Sequence, residues 1–259
     1  MRLLLAAALL LVADVAAAND VAIALTDDLI DIDAGFSGAK IVLFGVVTSD
    51  EPGAFPQHEF DIAAIVRGPA TTFRMRPFEQ RRLIWTPGPA LDIEAPGVTL
   101  TLSTRPLPEI ADPPLLDSLM LITSAERLAD DVNPQSPRAR ARLAALGAPQ
   151  VAAAFLAEAR RRRLIVDSAG VVDFRKAGLF AIEVALPPTT PIGDYTAEVF
   201  LFRNRQLVSR DLASLSVRKV GIESAFYEFA HRRPLAYGVA CVAFSVVAGL
   251  LAAAAFRRS

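Results

Sequence analysis

Residues 180–186 have the sequence FAIEVAL, in which large apolar residues alternate with small or charged ones. This period of two is typical of a β-strand that buries one face. A second alternating run, Tyr195–Phe202, follows after prolines and a glycine, and a third run at 207–217 follows the turn residue Asn204. The pattern predicts three strands, with a hairpin turn between the last two.

The first hundred residues carry the same pattern in shorter pieces. Val21, Ile23 and Leu25 alternate with small residues, and residues 41–47 form an apolar run short enough for a buried strand. Proline and glycine clusters separate further candidate strands at residues 62–66, 71–75, 83–86 and 98–102. Short strands at this spacing are typical of a β-sandwich. We expect the single tryptophan, Trp85, to fill space in its core.

From residue 113 the pattern changes to that of helices. Ser136-Pro137 is a typical helix start, since the serine hydroxyl can cap the first turn and proline fits its first position. Helices are then predicted over residues 138–146 and 151–164, separated at Gly147-Ala148-Pro149.

Together these patterns predict a β-dominated fold class with an α-helical insertion and one C-terminal transmembrane helix. We expect immunoglobulin-like sandwich structure, in one sandwich or two, from residues 19–110 and 164–220, with helices at 111–163 between them. Whether the two β-rich regions form one sandwich or two stays open.

The four arginines at 160–163 suit contact with anionic lipid headgroups or a polyanion, or else a solvated helix end stabilised by the helix dipole. We favour the solvated helix end, because the net charge of the chain is only −1.

The N-terminus has the organisation of an export signal. Arg2 precedes an apolar run at residues 3–13, and Ala16-Ala17-Ala18 supplies the small residues that signal peptidase requires. The run is too short to span a bilayer, so we expect a cleavable signal peptide at residues 1–18. An uncleaved anchor is the alternative.

The C-terminus contains the transmembrane prediction. Residues 235–256 carry no charge and are flanked by arginines on both sides. A helix of this length, rising about 1.5 Å per residue, would cross the hydrocarbon core. We expect a juxtamembrane amphipathic helix at 221–234 before it and a cytoplasmic stub at 257–259 after it. With the export signal, this predicts a single-pass protein of the bacterial inner membrane whose N-terminal domain is periplasmic.

The composition argues against several classes of function. A net charge of −1 argues against a nucleic-acid partner, and the single cysteine rules out a disulfide framework within the chain. The chain has none of the short motifs of zinc proteases, dithiol oxidoreductases or nucleotide-binding loops. We therefore expect no cofactor, no catalytic residue, no metal ligand and no enzymatic activity. A metal-dependent hydrolase built on the acidic residues at 27–33 is an alternative.

Two sets of residues are candidate binding sites. Five arginines lie in or beside the middle strands, and guanidinium groups that converge can bind a small oxyanion by bidentate hydrogen bonds. They are Arg67, Arg74, Arg76, Arg81 and Arg82. We favour scattered surface arginines over such a site, because arginine is the usual basic residue of this chain.

Four small residues recur at every fourth position of the predicted transmembrane helix, and such a face lets another helix pack closely. They are Cys241, Ser245, Gly249 and Ala253.

Several short motifs give the chain a resemblance to a known family. Their order and spacing are specific when taken together: Leu43-Phe44-Gly45, Val66-Arg67-Gly68-Pro69, Trp85, Leu186-Pro187, Pro191-x-Gly193-x-Tyr195, Lys219-x-Gly221-x-Glu223 and Phe229-Ala230-His231. On these motifs the chain resembles an uncharacterised family of alphaproteobacterial transmembrane proteins of about this length. The resemblance implies a periplasmic domain with a C-terminal anchor and no known catalytic residues. It also suggests a sulfite/taurine-type exporter as a partner.

Three classes of function remain open. The leading hypothesis is a membrane-anchored periplasmic accessory protein that contacts membrane lipid and docks on a membrane protein such as a transporter. The second is a periplasmic module that binds a small anion through the five arginines. The third is the metal-dependent hydrolase. The predicted architecture and the missing catalytic motifs favour the first.

Overall fold

The computed structural model describes residues 19–33, 35–48, 59–81, 83–175, 178–220 and 230–256, with side chains for all of these except 81 and 251–256. The predicted signal peptide at 1–18 and the stub at 257–259 lie outside this description. So does most of the predicted juxtamembrane helix, residues 221–229. The described residues are rich in β-strands, which form several sheets.

Two sheets contain most of the strands. The four-stranded sheet is antiparallel, with the order β1 (Asp20–Leu25), β3 (Ala39–Thr48), β13 (Leu179–Leu186) and β12 (Val172–Phe174). The six-stranded sheet has the order β11 (Ile165–Ala169), β9 (Thr99–Ser103), β4 (Phe60–Arg67), β14 (Gly193–Arg203), β15 (Gln206–Lys219) and β2 (Leu29–Ile32). Its inner pairs are antiparallel, whereas each edge strand, β11 and β2, is parallel to its neighbour.

The two sheets pack face to face around one hydrophobic core. Ile41 and Phe180 of the four-stranded sheet belong to the same buried cluster as Ile62 and Val199 of the six-stranded sheet. Along β13, alternate residues are buried and the residues between them face outward, which is the period of two seen in the sequence. Because both β-rich regions contribute strands to this core, the described residues form a single sandwich.

Part of the strand order of this sandwich agrees with that of immunoglobulin domains, and the six-stranded sheet has three further strands, β9, β11 and β2. Taken in chain order, the four-stranded sheet has the A-B-E-D arrangement, and the other sheet contains the C, F and G strands. Tyr195, near the start of β14, is fully buried, and its hydroxyl donates to the carbonyl oxygen of Pro191 at 2.8 Å. Immunoglobulin-like domains carry such a tyrosine corner at this place. The bond ties the turn before β14 to the sandwich.

Two short helices cover the outer face of the six-stranded sheet. They are α1 (Leu107–Ile110) and α2 (Pro113–Ser118). Ile110 and Leu116 from these helices pack in one buried cluster with Ile65, Phe200 and Phe202 of β4 and β14. The central strands of this sheet are therefore buried on both faces, which explains the nearly continuous apolar run in β4.

A second, smaller core forms beside the sandwich. It joins a three-stranded sheet of β5 (Ala70–Met75), β8 (Leu91–Pro96) and β10 (Val132–Pro134) to the helices α3 (Ala125–Ala129), α4 (Pro137–Leu146) and α5 (Ala148–Arg161). Ser136 caps α4 as predicted, since its Oγ accepts a hydrogen bond from the backbone N–H of Ala139 at 3.1 Å. Gly147, at a φ of 83°, ends α4 and begins α5.

The remaining strands, β6 (Phe78–Arg81) and β7 (Ile84–Pro87), form a separate two-stranded hairpin.

The C-terminal helix, Pro234–Phe256, exposes large apolar side chains such as Leu235 and Phe244. In the described part of the chain, however, no helix is long and apolar enough to cross a membrane. The predicted transmembrane helix at 235–256 is thus not supported. The fold class is corrected to a β-rich structure of several sheets with α-helices, without the transmembrane helix.

Candidate functional site: an exposed apolar hairpin

The β6–β7 hairpin exposes four large apolar side chains. Leu83 is 95% exposed and Trp85 is 65% exposed, and Phe78 and Ile84 are exposed to a similar extent as Trp85. Soluble proteins seldom expose contiguous apolar groups of this size unless another molecule covers them. The hairpin is therefore the strongest candidate for a contact surface.

Local geometry fixes the base of the hairpin. The backbone N–H of Gly88 donates to the carbonyl oxygen of Pro77 at 2.9 Å. A Cβ atom at position 88 would lie 2.5 Å from that same oxygen, so the close approach of the two chain segments requires glycine. Pro77 and the Pro87-Gly88-Pro89 turn thus bracket the hairpin and separate it from the neighbouring strands.

An arginine of α4 attaches the hairpin to the body of the protein. Arg142 donates from Nη2 to the carbonyl oxygen of Phe78 at 3.3 Å, and its Nε lies 3.6 Å from a carboxylate oxygen of Glu79. Both contacts fall on β6. The hairpin therefore has a defined position on the small second core.

Trp85 does not have the role that the sequence predicted for it. We expected it to fill core space, whereas it lies on β7 with most of its surface exposed. The short apolar run at residues 83–86 cannot distinguish a buried strand from a hairpin strand that is exposed on both faces. Pro77 and the Pro87-Gly88-Pro89 turn, which bracket the hairpin, are the sequence features that indicate its separation from the sheets.

Two of the five candidate arginines are bound within the fold. Arg67 donates to a carboxylate oxygen of Glu198 at 3.1 Å and to the carbonyl oxygens of Leu119 and Met120, each at 3.2 Å. It therefore joins the six-stranded sheet to the end of α2.

Arg74 forms a bidentate pair with the carboxylate of Asp92, at 2.9 and 3.0 Å, between β5 and β8. This carboxylate is buried, and its hydrogen bonds to Arg74 hold the pKa of Asp92 below its ordinary value. The structure thus gives Arg67 and Arg74 different partners and does not bring them together around one anion.

The other three candidate arginines lie near the hairpin in sequence. Arg76 is exposed just before β6. Arg81 is the last residue of β6, and its side chain is not described. Arg82 lies outside the described residues. The structure therefore places Arg76 just before the hairpin and the backbone of Arg81 at the end of its first strand.

The four small residues of the predicted packing face lie on the C-terminal helix. Cys241, Ser245 and Gly249 are exposed, and the Ser245 hydroxyl donates to the carbonyl oxygen of Cys241 at 2.9 Å. Ala253 is helical, but its side chain is not described. Packing of this face against a partner helix remains a prediction.

The acidic residues at 27–33 lie around β2. One carboxylate oxygen of Asp33 accepts the backbone N–H of Gly35 at 2.9 Å, which is a local turn. Among the residues that the structure describes, no group of three or more potential metal-ligating side chains comes together.

Comparison with known proteins gives one family. Residues 20–258 match a protein family whose description is "Putative transmembrane protein (Alph_Pro_TM)". No curated protein and no solved structure matches the chain.

Proposed function

Starting from the fact that the chain belongs to the Alph_Pro_TM family, we propose that it is a non-enzymatic interaction protein that works at a membrane. In this proposal the β6–β7 hairpin docks on the exposed part of a membrane-protein partner, with a transporter as the partner class. The sandwich lies on the exported side, in keeping with the export signal expected at residues 1–18.

The observation that carries the proposal is the exposure of Phe78, Leu83, Ile84 and Trp85 on one hairpin. Burying one such side chain fully contributes about 1.5–3 kcal/mol. Leaving four of them in water has no benefit for folding, so covering them by a partner gives a favourable contribution to binding. Tryptophan and arginine are the residues most often found at the energetic centres of protein interfaces. Here Trp85 lies on the hairpin and the exposed Arg76 lies just before it.

The attachment of the hairpin to α4 also favours binding. Because Arg142 holds β6 at the carbonyl of Phe78 and near Glu79, less conformational entropy is lost when a partner covers the apolar groups. A surface that is already ordered can bind more tightly than a mobile loop with the same residues.

Site-specific photo-crosslinking in native membranes tests the proposal. A photoreactive amino acid replaces Leu83 in the full-length protein, and in a matched control it replaces Ile192. Ile192 is an exposed apolar residue outside the hairpin, in the turn between β13 and β14. We expect one membrane protein to be crosslinked through position 83 and not through position 192.

The result that overturns the proposal is a crosslink to lipid alone at position 83, or the same protein products at both positions. As a second measurement, Trp85→Ser should reduce co-purification of the crosslinked partner by at least tenfold. The melting temperature should stay unchanged, because the side chain is exposed.

A further inference from the structure

One lateral side of the sandwich is closed by side chains. On β1, the backbone N–H of Ile23 donates to a carboxylate oxygen of Asp211 at 2.9 Å. The N–H of Val21 donates to the Ser209 hydroxyl at 3.3 Å. Both acceptors lie on β15 of the opposite sheet, so these two N–H groups of the edge strand have partners within the protein.

The other lateral side is open in the described part of the chain. There β11 is the edge strand of the six-stranded sheet and pairs only with β9. In the four-stranded sheet, β12 pairs with residues 180–182 of β13, and residues 183–186 pair with β3 alone. Two free strand edges therefore face the gap between the sheets at the same end of the sandwich.

A groove with a volume of about 840 Å³ lies between these edges. This volume is within the usual range for ligand sites in proteins. Leu100, Val166 and Leu186 contribute to its apolar part, and Arg160, Arg162 and Arg163 line it at the end of α5. The groove thus combines an apolar wall, two strand edges and a basic end.

Arg163 adopts a backbone conformation that suits glycine. Its φ is 58°, in the left-handed region. Its N–H donates to the carbonyl oxygen of Arg160 at 3.1 Å, and the N–H of Leu164 donates to that of Ala159 at 2.9 Å. These two bonds form the Schellman motif that ends α5, in which glycine is the usual residue at this position. The backbone conformation alone favours glycine at position 163, so it does not explain why an arginine is found there.

The charges at the basic end are only partly balanced. Arg162 pairs with Glu158 at 2.6 Å, and Arg160 lies 3.5 Å from a carboxylate oxygen of Asp167. Glu183, also in the groove wall, pairs with Lys40 at 2.5 Å. Among the described residues Arg163 has no ion-pair partner. A carboxylate entering the groove would therefore find an available guanidinium group.

We propose that this groove binds an extended peptide segment, which adds to β11 as an antiparallel strand and places its C-terminal carboxylate against Arg163 and Arg160. Strand addition satisfies the free backbone groups of β11, which no small ligand does as completely. Arg163 precedes the first residue of β11, Ile165. An antiparallel peptide therefore brings its C-terminus to the arginines, and this direction predicts a free terminal carboxylate.

Selection from a library of octapeptides with free C-termini tests the inference on the full-length protein. Affinities of the selected peptides are measured by fluorescence polarisation. We expect Arg163→Gly to weaken binding at least tenfold, with a melting temperature equal to or above that of the wild type. Arg161→Ser is the matched control, because Arg161 neighbours the same helix end and pairs with Glu158 but does not line the groove. It should change the affinity less than twofold.

Two modifications of the peptide test the binding mode. Amidation of the C-terminus should weaken binding at least tenfold, and N-methylation of alternate backbone amides should abolish it.

The inference is overturned if no peptide is selected, or if selected peptides bind Arg163→Gly or the amidated form as well as the originals. It is also overturned if laurate, an anionic amphiphile, binds in an Arg163-dependent way while peptides do not. The hairpin variant Trp85→Ser should leave peptide binding unchanged, so this result is independent of the proposed docking of the hairpin.

Discussion

Tyr195 is fully buried, and its hydroxyl donates to the carbonyl oxygen of Pro191. Burial also raises the pKa of the phenol, so the hydroxyl stays protonated and remains a donor through the alkaline range. Around it the packing is tight: a Cβ atom at Gly68 would lie 2.8 Å from the tyrosine ring. Two motifs that gave the family resemblance, Val66-Arg67-Gly68-Pro69 and Pro191-x-Gly193-x-Tyr195, therefore meet at one corner of the sandwich.

We expect Tyr195→Phe to lower the free energy of unfolding by about 1 kcal/mol, since it removes one hydrogen bond and leaves a carbonyl without its donor. Urea unfolding followed by circular dichroism measures the change. Tyr237→Phe, on the C-terminal helix outside the sandwich, is the control and should not change the stability of the sandwich. Equal stability of Tyr195→Phe and the wild type would remove the structural role that we assign to the corner.

The Arg74–Asp92 pair makes stability depend on pH in a defined direction. Because hydrogen bonds to Arg74 lower the pKa of Asp92 in the folded state, the ionised carboxylate stabilises the fold above the ordinary pKa of about 3.9. This contribution is lost as the pH falls through the lower, folded-state pKa. Stability measured by denaturant between pH 7 and pH 2 should fall less steeply for Asp92→Asn than for the wild type. Parallel curves for the two proteins would contradict this expectation.

At the residue scale, the sequence indicated which side chains could bind an anion, but not which acidic side chains pair with them in the fold. Arginine residues near the middle strands were visible, yet the acids that bind them, Glu198 and Asp92, lie 131 and 18 positions away. Such pairings depend on strand register, which one sequence does not specify. The exposure of Trp85 was missed for a related reason, because burial depends on which elements cover a strand.

At the element scale, the hairpin depends on one side chain of α4. Arg142→Ala removes the hydrogen bond to the Phe78 carbonyl and the contact with Glu79. We expect faster hydrogen exchange at residues 78–87, with little change in β4 or β14. Arg138→Ala, at an exposed position on the same helix, is the matched control. Unchanged exchange in the hairpin of Arg142→Ala would show that other contacts hold it.

Strand β3 depends on the absence of a side chain at Gly45. A Cβ atom there would lie 2.5 Å from the carbonyl oxygen of Ala22 and 2.6 Å from the Phe180 ring. Gly45→Ala should therefore destabilise the sandwich by at least about 1–3 kcal/mol, as overpacked core substitutions do. At Gly249 a Cβ atom meets nothing within 4 Å, so Gly249→Ala should be neutral in the same urea experiment. A neutral Gly45→Ala would mean that β1 and β13 can move apart without cost.

Most elements were predictable because their periodicity is strong. The alternation in β13 and the Ser136 cap of α4 are local features, and each agrees with the structure. The C-terminal transmembrane helix was not supported, although the residues there are apolar. The three-stranded sheet was also missed, because β10 pairs with β8 only after the chain has passed through α1, α2 and α3.

At the scale of the whole molecule, the sandwich takes strands from both sides of the helical region in the sequence. The core strands β4 and β14 pair directly although the helices and the second core lie between them in sequence. We expect a fragment of residues 19–163 to lack a cooperative unfolding transition, because it lacks β13, β14 and β15. Circular dichroism and proton NMR check this, with the 19–220 fragment as the control that should fold. A cooperatively folded 19–163 fragment would contradict the single core.

Trp85 is the only tryptophan of the chain, and it lies on the hairpin rather than in the core. Its fluorescence therefore reports on the solvent around β7 and hardly responds to unfolding of the sandwich. The wild-type protein thus carries its own spectroscopic probe at the proposed contact surface. When a partner covers the hairpin, the emission should shift to shorter wavelength and become protected from iodide quenching, without any label having been introduced.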